Sequence, residues 1–76
     1  LARTGGNLNE ALRLARFAHE SARDNGAYMD TLGYVYLRMG DLRNAALFIG
    51  KAHRRLPFAE EIREHARELK ARAVKD

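Results

Sequence analysis

Slid along itself by 34 residues, the distance from Gly6 to Gly40, the chain matches itself at the positions a helix pair most needs. Gly6-Asn7-Leu8 falls on Gly40-Asp41-Leu42, Ala11 on Ala45, Ala18 on Ala52 and His19 on His53, with Leu14 over Phe48 as a further large apolar pair. An internal period of this length means one supersecondary unit used more than once, each burying its apolar face against a neighbour. The fold is therefore expected to be an array of like elements.

The apolar spacing within the period is helical. Leu8, Ala11, Leu12, Ala15, Ala18 and Ala22 recur at three- and four-residue steps, predicting an amphipathic helix over about 7–23. Asn7, with Glu10 three residues on, forms a start of capping-box type, and Asp24-Asn25-Gly26 breaks the pattern. A second helix over about 27–39 turns Met29, Leu32, Val35, Tyr36 and Met39 inward and ends at Gly40, which supplies a positive φ. Asp41 caps a third, over about 42–55, which buries Leu42, Ala45, Ile49, Ala52 and Leu56 before Pro57 stops it. Lys51, His53, Arg54 and Arg55 gather at its end, where the macrodipole favours cations.

The last helix, about 59–73, carries a narrow stripe of Ile62, Ala66, Leu69 and Ala73, with Glu60, Glu61 and Glu64 near its start and Lys70 and Arg72 near its end. In the repeat register, Ala66, Arg67 and Lys70 stand where Leu32, Gly33 and Tyr36 stand one period earlier. The helix is kept and the packing residues are lost, as suits a terminal element with a polar outer face. Gly33, by contrast, sits inside a helix at a cost of about 1 kcal/mol relative to Ala, which calls for a close helix–helix approach. Ala45 and Ala52 supply small residues on the facing helix.

Leu32, Gly33, Tyr36, Ala45, Ala52 and Pro57, in this spacing, resemble the tetratricopeptide repeat, a two-helix unit of about 34 residues. The pattern departs from the family where its common Trp is Met29 and its common Phe is Ile49. Other helical-hairpin repeats are the nearest competitors and imply similar biology. The resemblance implies an all-α fold of antiparallel helix-turn-helix repeats, a four-helix piece of a right-handed superhelix. Residues 1–76 would form one domain: 6–25 the second helix of a preceding repeat, 26–59 a complete repeat and 60–76 a capping-like helix. Opening without Met and mid-repeat, the chain reads as a C-terminal fragment of a longer repeat protein.

What the resemblance implies for function is a non-catalytic protein–protein interaction scaffold, with a concave groove that takes a peptide or a partner helix. By register, its exposed faces would be Ala27, Asp30, Tyr34, Leu37 and Arg38 on one helix and Glu61, Glu64, Glu68, Ala71 and Arg72 on the next. Tyr34 is the expected anchor, because an exposed aromatic offers contact area at low entropy cost. Some members of the family grip a C-terminal carboxylate with cations on these faces. Asp30, Tyr34, Glu61 and Glu64 stand at corresponding places here, so no such clamp is expected.

Composition sets the outer limits. With 46% hydrophobic and 32% charged residues and a single Pro, the chain is globular rather than disordered. A chain of this length buries only about 60–65% of its unfolded surface, so it needs an efficient core or neighbours. The lack of Cys excludes disulfides, thiolate metal sites and a thiol nucleophile, and favours a reducing, cytoplasmic setting. No apolar run reaches the roughly 18 residues of a membrane span, and the first six residues lack signal-peptide features, so a soluble protein without membrane insertion is expected. Fourteen Lys and Arg against ten Asp and Glu give +4, with the signs mixed along the chain, which suits a solvated helical surface.

Chemistry finds little purchase. His19, His53 and His65 belong to no His-Glu-x-x-His motif, and a Glu-x-x-His pair would need Glu at 16, 50 or 62, where Arg16, Gly50 and Ile62 stand. Glu61 and His65 are expected to pair along the helix surface, and Glu60, Glu61 and Glu64 to serve helix-start electrostatics. Thr4, Ser21 and Thr31 lack a nucleophile context, and Gly5-Gly6 is too short for a phosphate loop. No catalytic residue, cofactor or metal is expected.

Two rival partners follow from the surface. Nucleic acid would use Arg13, Arg16, Arg23, Lys51, His53, Arg54 and Arg55, but these are read as scattered over several helix faces without interleaved aromatics. Self-association into a homo-oligomer would cover the stripe Leu8, Ala11, Leu12 and Ala15, which is expected to lack a hairpin partner.

Overall fold

The computed structural model describes residues 5–75, and side chains for 7–74. Thr4 and the outermost ends of the expected domain, residues 1–4 and 76, lie outside the described residues. Four helices account for most of the rest: α1 (Gly5–Ser21), α2 (Gly26–Met39), α3 (Leu42–Arg55) and α4 (Glu60–Lys75). No strand occurs among the described residues.

Local chemistry explains where each helix begins and ends. Asn25 is the N-cap of α2, its side-chain oxygen accepting from the Tyr28 amide at 3.1 Å. At the other end Gly40 adopts φ 86°, donating to the Leu37 carbonyl while Asp41 N–H reaches the Tyr36 carbonyl. This doubly bonded left-handed stop satisfies two carbonyls that the helix leaves open. Asp41 then caps α3, accepting from the Asn44 amide at 3.1 Å and from its side-chain NH2 at 2.8 Å. These bonds hold the Asp41 carboxyl below its ordinary pKa, since they favour the charged form. Leu56, extended at φ −131° ahead of Pro57, ends α3 as a residue before proline should.

Most boundaries of α1, α2 and α4 shift by one or two residues from the expectation, and the start of α1 changes the role of its cap. α1 starts at Gly5, so Asn7 lies inside its first turn rather than in front of it. The glycine pair carries helical backbone here, and the polar capping type at position 7 occupies a helical site.

α2 lies at the centre, packed against α1, α3 and α4. The molecule measures 35 × 34 × 19 Å, and the short dimension is that of two helix layers at about 10 Å each. Ala15 of α1 packs on Leu32 and Val35 of α2, with Ala11, Leu12, Tyr36 and Phe48 around them. Leu37, Ala45 and Ile49 form the middle of the hairpin, covered by Ala66 and Leu69 of α4. Met29, Ala52 and Ile62 close its far end.

The close approach that Gly33 demands is present. A Cβ at Gly33 would lie 2.7 Å from Ile49 Cγ1 and 2.8 Å from the Ile49 backbone nitrogen, so only glycine fits. Ala45 and Ala52 are fully buried beside it.

Several expected core positions are outside it. Met39, Leu56 and Ala73 are exposed, and Leu42 and Tyr36 are half-buried. Met39 and Leu56 stand at helix ends, beyond the last turn their neighbours can cover. The stripe of α1, expected to be bare, is instead the face that meets α2, and the exposed apolar residues of α1 are Leu14 and Phe17.

Candidate partner-binding groove between α2 and α4

Successive turns of α2 present Ala27, Asp30, Thr31 and Tyr34 along one side, because residues three and four apart share a helix face. α4 answers with Glu61, Ile62 and His65, and the α3–α4 turn adds Leu56 and Ala59. Together with Val35 they enclose an open groove of about 380 Å³. Val35 and Ile62 make an apolar floor, and Glu61 stands on the rim.

A buried polar pair fixes one wall. The Asp30 carboxylate accepts from His65 Nδ1, which is 2.9 Å from both of its oxygens, with side-chain exposures of 8% and 14%. That bond assigns the proton to Nδ1 and leaves Nε2 as the second nitrogen of the ring. Tyr34 stacks on the His65 ring, centroids 4.1 Å apart and planes 19° from parallel. Asp30, His65 and Tyr34 thus join α2 to α4 as a continuous polar and aromatic tie.

Of the residues expected on the concave faces, Ala27, Asp30, Tyr34 and Glu61 line this groove. Asp30 is buried, however, and committed to His65 rather than exposed. Leu37, expected at the surface, is fully buried in the hairpin core. The reason is rotational: Asp30 and Leu37 stand seven residues apart on one line of α2, and this line turns beneath α4. Arg72 is half-buried and donates to the Leu37 carbonyl at 2.7 Å, so it caps the end of α2. Arg38, Glu64 and Ala71 are exposed outside the groove lining, and Glu68 is half-buried.

His65 lines the groove together with Thr31, Val35, Leu56, Ala59 and Ile62, none of which was expected on the concave faces. It was expected to pair with Glu61 on its own helix, and it pairs across to Asp30 instead. The signal available was the spacing: Asp30 and His65 lie 35 residues apart, nearly one repeat, on two helices that the register already made neighbours.

The Thr31 hydroxyl donates to the Ala27 carbonyl at 3.0 Å along its own helix, so it is not aligned with His65. No group of three or more His, Asp or Glu among the described residues is arranged to hold a metal ion. No helix of the described residues is long and apolar enough to cross a membrane.

The basic residues divide between faces. Arg13 and Arg16 lie with Phe17 and Glu20 on the outer side of α1. Arg23, Lys51, Arg54 and Arg55, in contrast, are brought together around one hollow at the α3 C-terminus, where a scattered distribution was expected. Compared with known proteins, the chain matches no family model, no curated protein and no solved structure.

Proposed function

We propose that this chain is a non-catalytic protein-interaction scaffold of tetratricopeptide-repeat type, whose groove between α2 and α4 receives a peptide or a partner helix. The observation that carries the reading is the groove itself: an apolar floor of Val35 and Ile62 bounded by a rigid Tyr34–His65 stack and a Glu61 rim. That mixture of apolar area and a few oriented polar groups is what recognition sites use. The 34-residue register and the glycine-mediated hairpin support a repeat of this kind, and with it the superhelical arrangement.

The rim chemistry favours a basic ligand. Glu61 on the rim is exposed and makes no ion pair among the described residues, and Glu64 and Glu68, which lie outside the groove lining on the same helix, make none either. A peptide pool selected on the wild-type protein supplies the test. Tyr34→Ala should weaken the selected ligand about tenfold while the helical circular-dichroism signal is retained, as for an aromatic hot spot worth more than 1 kcal/mol. An unchanged dissociation constant with an unchanged helical signal counts against the reading.

A second reading, homodimerisation, is favoured by the outer face of α1. Leu14 and Phe17 are 55% and 72% exposed there, and Phe17 shares a hollow with Arg13, Arg16 and Glu20. Two α1 helices packed antiparallel about a two-fold axis, with Leu14 of one copy opposite Phe17 of the other, would cover both apolar side chains. Sedimentation equilibrium separates the cases: this reading expects a dimer that Phe17→Glu converts to monomer, and a wild-type monomer at high concentration rejects it.

A further inference from the structure

The hollow at the end of the hairpin is lined by Arg23 and Asp24 from the α1–α2 turn, Met29 from α2, and Lys51, Arg54 and Arg55 from α3, and has a volume of about 380 Å³. Four cationic side chains share it with one carboxylate. Arg55 donates to the Asp24 carbonyl at 2.9 Å, which ties the turn to α3, and approaches its solvent-exposed carboxylate at 3.6 Å. The Lys51 ammonium sits 5.7 Å from the centroid of the Phe48 ring. Arg23 and Arg54 make no hydrogen bond and no ion pair among the described residues.

Helix-end electrostatics account for only part of this gathering. Arg54 and Arg55 stand in the last turn of α3, where its dipole favours cations, but Lys51 lies before that turn and Arg23 lies in the turn after α1. What remains is the excess positive charge of the side chains, held on two separate chain segments that the Arg55–Asp24 contact pins together. Arg13 is paired with Glu10, Arg63 and Arg67 with Glu60, and Arg72 with the Leu37 carbonyl, while Arg16, Arg38, Arg43 and Lys70 make no ion pair among the described residues; what distinguishes Arg23, Lys51 and Arg54 is that they line one hollow.

We infer that this hollow is a binding site for a phosphate dianion, held by Arg23, Lys51 and Arg54. Guanidinium groups present paired N–H donors that match phosphate oxygens, and an ammonium adds a point charge, so the three together suit a compact dianion better than a carboxylate. Arg55 positions the turn. A nucleic-acid backbone is the poorer fit: Arg13 and Arg16 lie on the outer side of α1, in a different hollow, and the Phe48 ring is already stacked on Tyr36. The site takes a single phosphoryl group, free or as a monoester.

The test is a titration of the isotopically labelled chain with inorganic phosphate, and in parallel with methyl phosphate, following amide resonances at ionic strength held constant with sodium chloride. The inference expects saturable shifts centred on Arg23 and on 51–55, and affinity at least fivefold weaker in Arg54→Gln and in Arg23→Gln. Arg16→Gln should bind as wild type. The tighter of the two ligands identifies whether the phosphoryl group is free or esterified. Shifts that do not saturate, that chloride alone reproduces, or that Arg16→Gln diminishes as much as Arg54→Gln overturn the inference. So does an oligoribonucleotide whose binding depends equally on Arg13, Arg16 and Arg54, which would make the chain a general polyanion binder. Arg23→Gln keeps the inference falsifiable if Arg54→Gln fails to fold.

Discussion

The two outer helices, α1 and α4, flank the same hairpin and finish it differently. α1 turns Leu14 and Phe17 to solvent, whereas α4 turns out Arg63, Arg67 and Lys70, two of them paired with Glu60 at 3.8 and 3.5 Å. The repeat register makes the contrast specific. Arg67 stands one period after Gly33, the residue that lets α3 approach α2, so a guanidinium occupies the very place where a second close approach would have to occur. Leu14 stands one period before Phe48, whose Cβ lies 3.2 Å from where a Gly33 Cβ would be. The position of the close approach is thus occupied by charge on α4, while α1 leaves two large apolar side chains in solvent beside its charged ones.

The largest expected effect tests that register directly. Gly33→Val forces side-chain atoms into the Ile49 backbone and should cost about 3 kcal/mol in urea unfolding, a large part of the stability of so small a domain. Arg67→Val, at the equivalent position of α4, should change stability by no more than about 0.5 kcal/mol. Similar losses at both positions would mean that α4 is approached as closely as α2, and the contrast would fail.

Next in size is the tie that holds α4 alone. Asp30→Ala leaves the half-buried His65 ring nitrogen without its acceptor and should cost about 2 kcal/mol. Amide exchange should then quicken in α4 more than in α1, since only α4 depends on this bond. Equal quickening in the two would show that the outer helices are coupled through the core rather than fastened separately.

The smallest effect concerns the start of α3, the register mate of α1. The folded-state pKa of Asp41 is lowered from an ordinary value of 3.8, so the stability it contributes is present above that value and is lost as pH falls through the folded one. Acid should loosen the first turn of α3, and Asp41→Asn, which still accepts from the Asn44 amide, should remove that part of the pH dependence. α1 has Asn7 at the corresponding place and should show no such transition. Thermal melts between pH 5 and pH 2 measure both.

Much of the fold was legible because its signals are short. Gly40 with Asp41, and Leu56 with Pro57, act within one turn of the chain, and both stops lie where local chemistry requires them. The start of α1 was less legible: Asn7 with Glu10 read as a cap in front of the helix, and the helix nonetheless begins at Gly5. Asn25 was read as part of a break when it is the cap that begins α2, since the same residue types serve both ends.

The candidate groove was legible as a pair of helices but not as a set of side chains. Each residue adds about 100° of rotation, so a modest difference in how α4 crosses α2 decides whether a position faces the groove or the core. Asp30 and Leu37 went inward on that account, and His65 came into the groove from a position the repeat pattern does not mark.

By itself the sequence determined the four helices, their stops and the glycine-mediated hairpin, because periodicity, capping and the absence of a side chain are properties of neighbouring residues. Only the tertiary structure decided the Asp30–His65 pairing, the burial of Leu37, the opposite finishes of α1 and α4, and the meeting of Arg23 with Lys51 and Arg54. Those depend on how distant segments rotate and cross when they pack, a choice made by the whole set of contacts at once.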